Sequence, residues 1–365
     1  MKKIALLGCT GSVGSQTLDI VRCNSDKLKI VSLVAFSNEQ KLAQQVAEFA
    51  PNYSALISKQ GEGCLIEAVK NCDIAVVATK GITSIDCILY CLDNGIDVAV
   101  ANKEALVCAG SLIMPKVGKA KLYPVDSEHC AISQCLLASN GMQVDKLLLT
   151  ASGGPFWNTD QEQLQLVDAT KALQHPNWNM GTKITIDSAT MFNKALEVIE
   201  ASWLFGIDVD NIDIVVHRQS IVHSAVQFQN GGVVAQLANP DMRLPIAYAL
   251  LNEAQVPVKR LSFDQLMTLT FEKVNTSKFP CAQLGHEIKR YYPLAPTVMN
   301  SANDVCVDSF LEGKIKFTEF YQIIKNTVLH FEKQFSKLIV SVDNIKIVDQ
   351  VVKEYVMAQI NGDIC

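Results

Sequence analysis

The sequence predicts an α/β protein in three parts: an N-terminal doubly wound parallel sheet, a second α/β domain on a mixed sheet, and a C-terminal helical bundle. Three observations carry this expectation. Short apolar strands alternate with helix-like stretches through the first third; longer, closely spaced strands follow Val125; and from about Phe279 helical periodicity runs alone to the end. The corresponding boundaries are 1–126, 127–252 and 279–365, with 253–278 as a linker.

The first-domain strands are expected at Ile4–Leu7, Ile30–Ala35, Ser54–Ile57, Ile74–Ala78, Val98–Val100 and Leu122–Val125. After the first of them, Gly8, Gly11 and Gly14 recur at three-residue intervals and run into a helix pattern. Strand, glycine turn and helix in that order make a Rossmann-type dinucleotide-phosphate turn, although the spacing is not the commoner G-x-G-x-x-G. The second strand ends in Phe36-Ser37-Asn38, where an enzyme using NAD usually carries an acid for the ribose 2′-hydroxyl. The missing acid leans toward NADP. Neither Arg nor Lys occupies this tip, so a 2′-phosphate is expected to rest on hydroxyl, amide and backbone donors.

Second-domain strands are expected at Lys146–Thr150, Ile212–His217, Ile221–Gln227 and Gly232–Ala238, with helices near 129–139 and 188–205. The 253–278 stretch reads as a linker holding a brief strand. Bundle helices are expected at Asp304–Glu312, Phe317–Phe331 and Val342–Gln359.

With 365 residues, 49% hydrophobic and 19% charged, the chain has the composition of an ordinary globular protein with sizeable cores. A net charge of −5 offers no broad basic field for nucleic acid, so an anionic substrate must meet a local cation such as Lys103 or Lys194. Twelve cysteines without a C-x-x-C pair read as reduced thiols in a cytoplasmic protein. Lys2-Lys3 before a short apolar run imitates a lipoprotein signal, but the run is too short for one, and no long apolar span suggests a membrane.

Five segments carry candidate chemistry. Asp187 to Glu197 reads as a helix start with Ser188 at the N-cap, and positions 190, 193, 194 and 197 on one face. The amide of Asn193, the ammonium of Lys194 and the carboxylate of Glu197 could there hold a phosphate and a divalent cation. Asp126 and Glu128 end the Leu122–Val125 strand at i, i+2, a spacing that turns both to one side. Such hard oxygen ligands, joined by Glu197, suit Mg²⁺ or Mn²⁺ better than zinc. Ala101-Asn102-Lys103-Glu104 follows a strand at the carboxyl edge where open sheets bind ligands. Thr150 to Pro155 is a small-residue turn able to approach an anion. His175-Pro-Asn-Trp178 is a loop suited to a lid. His217 and His223 are expected to be structural, hydrogen-bonded histidines.

Together these segments resemble the 1-deoxy-D-xylulose 5-phosphate reductoisomerase family. The resemblance rests on Gly8-Cys-Thr-Gly-Ser-Val-Gly14, Ala101-Asn-Lys-Glu-Ala-Leu106, Pro124-Val-Asp-Ser-Glu-His129, Ser152-Gly-Gly-Pro-Phe156, His175-Pro-Asn-Trp-Asn-Met-Gly181, Asp187 to Glu197, Gln219-Ser-Ile-Val-His-Ser224 and Gln236-Leu-Ala-Asn-Pro-Asp-Met-Arg243. It implies metal ligands at Asp126, Glu128 and Glu197, and a substrate phosphate held by Ser152, Ser188, Asn193 and Lys194 with His175 close by. It further implies substrate contacts at Ser127 and Lys103, a covering Trp178, and cofactor contacts at Thr10, Gly11, Ser12, Val13, Asn38, Asn102, Glu104 and Gly181. The implied reaction is NADPH-dependent isomerisation and reduction of a phosphorylated sugar by a homodimer.

Three departures stand out. Phe36-Ser37 replaces a Gly-basic pair common in the family, Arg218 stands where Pro is familiar, and the segment after Ile57 is short. Competing readings are a metal-independent NADP dehydrogenase of the semialdehyde or homoserine type and a non-catalytic NADP-binding regulator. The semialdehyde type needs a nucleophilic Cys, and Cys130 and Cys135 lack an obvious His partner. A regulator is expected to have lost a carboxylate or the Lys, and this chain retains them all.

Overall fold

A computed structural model describes residues 1–174, 180–251, 254–264 and 268–363. The chain divides into two compact units. Met1–Ala105, Gly110–Ala138 and Asp241–Leu261 form the first; Leu106–Ala109, Ser139–Pro240 and Ser262–Cys365 form the second.

The first unit is built on six parallel strands: β1 (Lys2–Leu7), β2 (Leu28–Ala35), β3 (Tyr53–Leu56), β4 (Ile74–Val77), β5 (Asp97–Val100) and β6 (Leu122–Pro124). Their order is β3-β2-β1-β4-β5-β6, the doubly wound sheet expected. Ile4, Leu6, Leu33, Ile74 and Val76 are buried in its core, because strands covered on both faces read as continuous apolar runs. Ile246 and Leu250 on helix Arg243–Leu250 share that core with Leu18 and Val21 on helix Ser12–Cys23. A reciprocal lock joins the same regions: Asn24 Nδ2 donates to the Gln255 carbonyl at 2.9 Å, and Gln255 N donates to Asn24 Oδ1 at 2.8 Å. Asp241–Leu261 therefore belongs with the first sheet, whereas the sequence reading ended that domain at 126 and began a linker at 253.

In the second unit β7 (Val144–Ala151), β8 (Ile212–Val216), β9 (Val222–Phe228), β10 (Val233–Leu237) and β11 (Glu272–Lys273) form a sheet in the order β10-β9-β7-β8-β11. The β7–β8 pair is parallel and the other pairs are antiparallel, so the sheet is mixed as expected. The brief strand expected in the linker is β11, paired with β8. Helix Ala295–Leu311 is buried along nearly its whole length and packs against Phe320–Phe335 and Val342–Asn361. It begins well before the predicted Asp304 because Pro296 occupies the first turn, where its missing N–H costs nothing.

The stretch expected as one helix over 188–205 is two: Thr182–Ala189 and Phe192–Phe205. Met191 between them adopts a left-handed conformation with φ of 60°. Ser188 consequently lies inside the first helix and is no N-cap, and Thr190 leaves the shared face. The buried bond from Asn303 Nδ2 to Asp187 Oδ1 (2.7 Å) ties this first helix to Ala295–Leu311, and within the helix Lys183 donates to Asp187 Oδ2 (2.8 Å). With its side chain engaged by both partners, Asp187 does not act as an N-cap. Among the described residues, no helix is long and apolar enough to cross a membrane.

Candidate active site

In the first unit the glycine turn leaves β1 and enters helix Ser12–Cys23 with Gly11 at its N-cap. Gly8 has φ of 90°, and a Cβ there would lie 2.3 Å from the Ala78 carbonyl. A Cβ on Gly14 would meet the Gly8 carbonyl at 2.3 Å. Only glycine permits this close packing of strand, turn and helix, which leaves Gly11 and Ser12 exposed at a helix N-terminus. The cradle suits a dinucleotide pyrophosphate. Thr10 and Val13 flank it, and Lys41 braces it from helix Glu39–Phe49, donating to the Thr10 carbonyl at 2.9 Å and to Ser15 Oγ at 2.8 Å. Lys41 was missed by sequence reasoning, since nothing in its spacing links it to the turn. Asn38 caps its own helix, accepting from Lys41 N at 3.0 Å.

Asn102 is the buried N-cap of helix Lys103–Ile113, accepting from Ala105 N at 2.8 Å. Its amide also donates to the carbonyls of Thr79 and Gly81 at 2.9 and 2.8 Å, fixing the β4 and β5 loops together. Lys103, in the first turn, pairs with Asp126 at 2.7 Å. Burial pushes the Asp126 carboxyl up, but the Lys103 ammonium and His129 outweigh it and hold the group well below the usual carboxylate range. Asp126 is thus ionised at neutral pH. Glu128 is not a strand residue at i, i+2: β6 ends at Pro124, and Glu128 lies in the first turn of helix Ser127–Ala138, accepting from Ser127 Oγ at 2.6 Å. The helix-starting chemistry of Asp-Ser-Glu wins over strand continuation.

In the second unit Asn193, Lys194 and Glu197 share a face of helix Phe192–Phe205, as expected. This helix is buried nearly all round, not a solvated amphipathic one. Lys194 Nζ reaches Glu197 Oε2 at 2.5 Å and donates to the Thr150 carbonyl at the end of β7 at 2.6 Å; Asn193 Nδ2 donates to Glu197 Oε1. Beyond Thr150 the chain turns through Ser152-Gly153-Gly154. Both glycines have positive φ, and a Cβ on Gly154 would lie 2.8 Å from the Ser188 carbonyl. The Ser152 turn therefore sits directly on the Ser188 segment, bringing two predicted phosphate contacts together. Arg218 clamps this turn, donating from Nη1 to the carbonyls of Ser152 and, at 2.7 Å, Gly154. Its place in the site was invisible in sequence, where it stood out only as a replacement for Pro. His217 is structural as expected: its Nδ1 meets the Thr270 carbonyl at 2.8 Å and its ring stacks on Phe271. Gly181 is exposed at the N-cap of Thr182–Ala189. His175 and Trp178 lie outside the described residues.

Three family models match the chain: 1-deoxy-D-xylulose 5-phosphate reductoisomerase over residues 4–110, its C-terminal domain over 122–205, and a second DXP reductoisomerase C-terminal domain over 237–355. A 1-deoxy-D-xylulose 5-phosphate reductoisomerase of Clostridium botulinum is 39% identical over 97% of this chain and 98% of its own length. The chain belongs to this family. A reductoisomerase of Pelotomaculum thermopropionicum is 42% identical over 90% of this chain and 91% of its own. Among solved structures, a DOX-P reductoisomerase in complex with NADPH, fosmidomycin and magnesium superposes with a TM-score of 0.91 at 34% identity, covering 99% of this chain and 98% of that one. The Zymomonas mobilis reductoisomerase in complex with NADPH gives 0.89 at 33% identity, covering 98% and 99%. The family fold accordingly extends over the whole chain.

Proposed function

We infer that the chain catalyses the NADPH- and divalent-metal-dependent isomerisation and reduction of 1-deoxy-D-xylulose 5-phosphate to 2-C-methyl-D-erythritol 4-phosphate, a step of isoprenoid precursor biosynthesis. The observation that carries the reading is the pair of carboxylates, partly buried Asp126 and buried Glu197, each held by a lysine in a chain of this family. A metal-independent dehydrogenase has no need of such a set. The nucleophilic Cys that the semialdehyde type requires is also unsupported, because burial pushes the Cys130 thiol up to about 12.

Asp126, Glu128 and Glu197 are the residues that would hold Mg²⁺ or Mn²⁺. The fit rests on donor chemistry: Asp126 is an ionised oxygen ligand, and Glu128 and Glu197 add the carboxylate oxygens that a hard divalent cation prefers. Such an ion, when bound, polarises the substrate ketone and acidifies the neighbouring hydroxyl. Lys103 and Ser127 face the reacting portion. Lys194, Asn193, Ser152 and Ser188 hold the phosphate through charge and hydrogen bonds; the family resemblance adds His175 to the phosphate contacts and Trp178 as the cover that excludes water until the aldehyde has been reduced. Thr10, Gly11, Ser12, Val13, Asn38, Asn102, Glu104 and Gly181 receive the NADPH. Both a retro-aldol and a direct carbon migration use these same roles. The protein acts as a cytoplasmic homodimer.

The test is loss of NADPH absorbance with 1-deoxy-D-xylulose 5-phosphate, with Mg²⁺, with Mn²⁺ and after chelation. Metal-dependent oxidation is expected; oxidation that survives chelation restores the dehydrogenase reading, and bound NADPH without turnover restores the regulator.

A further inference from the structure

The tip of β2 lacks a cation of its own, yet the adjoining strand brings one to it. β2 and β3 run parallel with Ala35 opposite Leu56, so their carboxyl ends emerge side by side. Just beyond, Ser58 N donates to the Phe36 carbonyl at 2.9 Å, which pins the short segment Ile57–Gln60 against Phe36-Ser37-Asn38. Lys59 follows, and its ammonium lies 2.6 Å from the carboxylate of Glu39, the residue directly after Asn38. Ser37, Asn38, Glu39 and Lys59 are all exposed, so a ligand can reach every one of them.

We propose that Lys59 is the cofactor-specificity residue of this chain, supplying from the end of β3 the positive charge for the 2′-phosphate of NADPH that the tip of β2 does not carry. The assignment rests on the cofactor reading given above. Chemistry favours the exchange of partners. Side chains of Lys59 and Glu39 are 60% and 69% exposed, and an ion pair so hydrated is weak and easily opened. A phosphate monoester carries nearly two negative charges at neutral pH and three acceptor oxygens, against the single charge of Glu39. Lys59 can therefore swing from Glu39 to the phosphate, while Ser37 and Asn38 donate hydrogen bonds beside it. Lys41, the other lysine of this corner, is already committed to the Thr10 carbonyl and Ser15. NADH has no group for Lys59 to grip.

Calorimetric titration of the full-length protein with NADPH, NADH and adenosine 2′,5′-bisphosphate tests this without turnover. Lys59→Ala is expected to weaken NADPH and the bisphosphate about tenfold, the scale of one charge-assisted contact, and to leave NADH within about twofold. Lys59→Arg should keep the NADPH preference, and Glu39→Gln, which frees the ammonium, should tighten NADPH. Equal weakening of both dinucleotides by Lys59→Ala, or none, overturns the assignment. Wild-type protein that binds neither dinucleotide overturns the cofactor reading and the assignment with it.

Discussion

Two buried lysine–carboxylate pairs anchor the two units, and they are built in opposite ways. Lys194 and Glu197 sit three positions apart on one helix, with side chains 5% and 0% exposed, and the ammonium also donates to a backbone carbonyl, that of Thr150. Lys103 and Asp126 are far apart in sequence and meet only because β5 and β6 are neighbours; they are 7% and 14% exposed, and His129 stands 3.7 Å from the carboxylate. The first pair is a sealed local device and the second an open one assembled by topology. In the second, the lysine keeps Asp126 charged where burial alone would neutralise it.

The sharpest break of this comparison removes the charge from the sealed pair. Glu197→Gln retains an acceptor for Asn193 Nδ2 but leaves Lys194 without its anion, and turnover should fall by at least about a thousandfold if Glu197 is a metal ligand. NADPH affinity, read by fluorescence quenching, should hardly change. Activity within tenfold of wild type takes Glu197 out of the metal set.

Removing the cation from the open pair should cost about a hundredfold in kcat and, more tellingly, move a pH limb. With Lys103 gone, the largest influence lowering the Asp126 pKa disappears while desolvation, which raises it, remains. The wild-type carboxylate stays charged down to strongly acid pH. In Lys103→Met the acid limb of kcat should rise toward neutrality by at least about one pH unit, losing activity as pH falls. An unmoved limb separates Asp126 from the rate-limiting step.

A smaller effect is expected from Arg218→Met. Loss of the clamp on Ser152 and Gly154 loosens the turn proposed to meet the substrate phosphate without removing a ligand, so the substrate KM should rise a few-fold, by about 1 kcal/mol of binding, while kcat and the KM for NADPH hold. Arg218→Lys should recover part of the loss. A kcat that falls with unchanged KM places the arginine elsewhere in the mechanism.

The same contrast explains what was legible in sequence. Parallel sheet, mixed sheet and bundle helices were readable because apolar periodicity reports burial directly. The Asn193-Lys194-Glu197 face was readable because helical spacing is local. Lys103 with Asp126, Lys41 beneath the glycine turn and Arg218 on the Ser152 turn depend on which strand lies beside which, and no short-range pattern encodes that. The helix break at Met191 was hidden for a related reason: a left-handed residue without glycine leaves no local signature, and the bond from Asn303 that holds the preceding helix is a long-range one.

The return of Asp241–Leu261 to the first sheet bears on how the molecule is made. A nascent chain that has left the ribosome only as far as Ala138 carries all six parallel strands but lacks Ile246 and Leu250, so the apolar side of helix Ser12–Cys23 stays open to water and to chaperones. The nucleotide unit closes only after the strands of the second sheet through β10 have been synthesised. Order of synthesis and order of completion are thus inverted, and a truncation after the sixth strand should yield an aggregating fragment in place of an independent nucleotide-binding module.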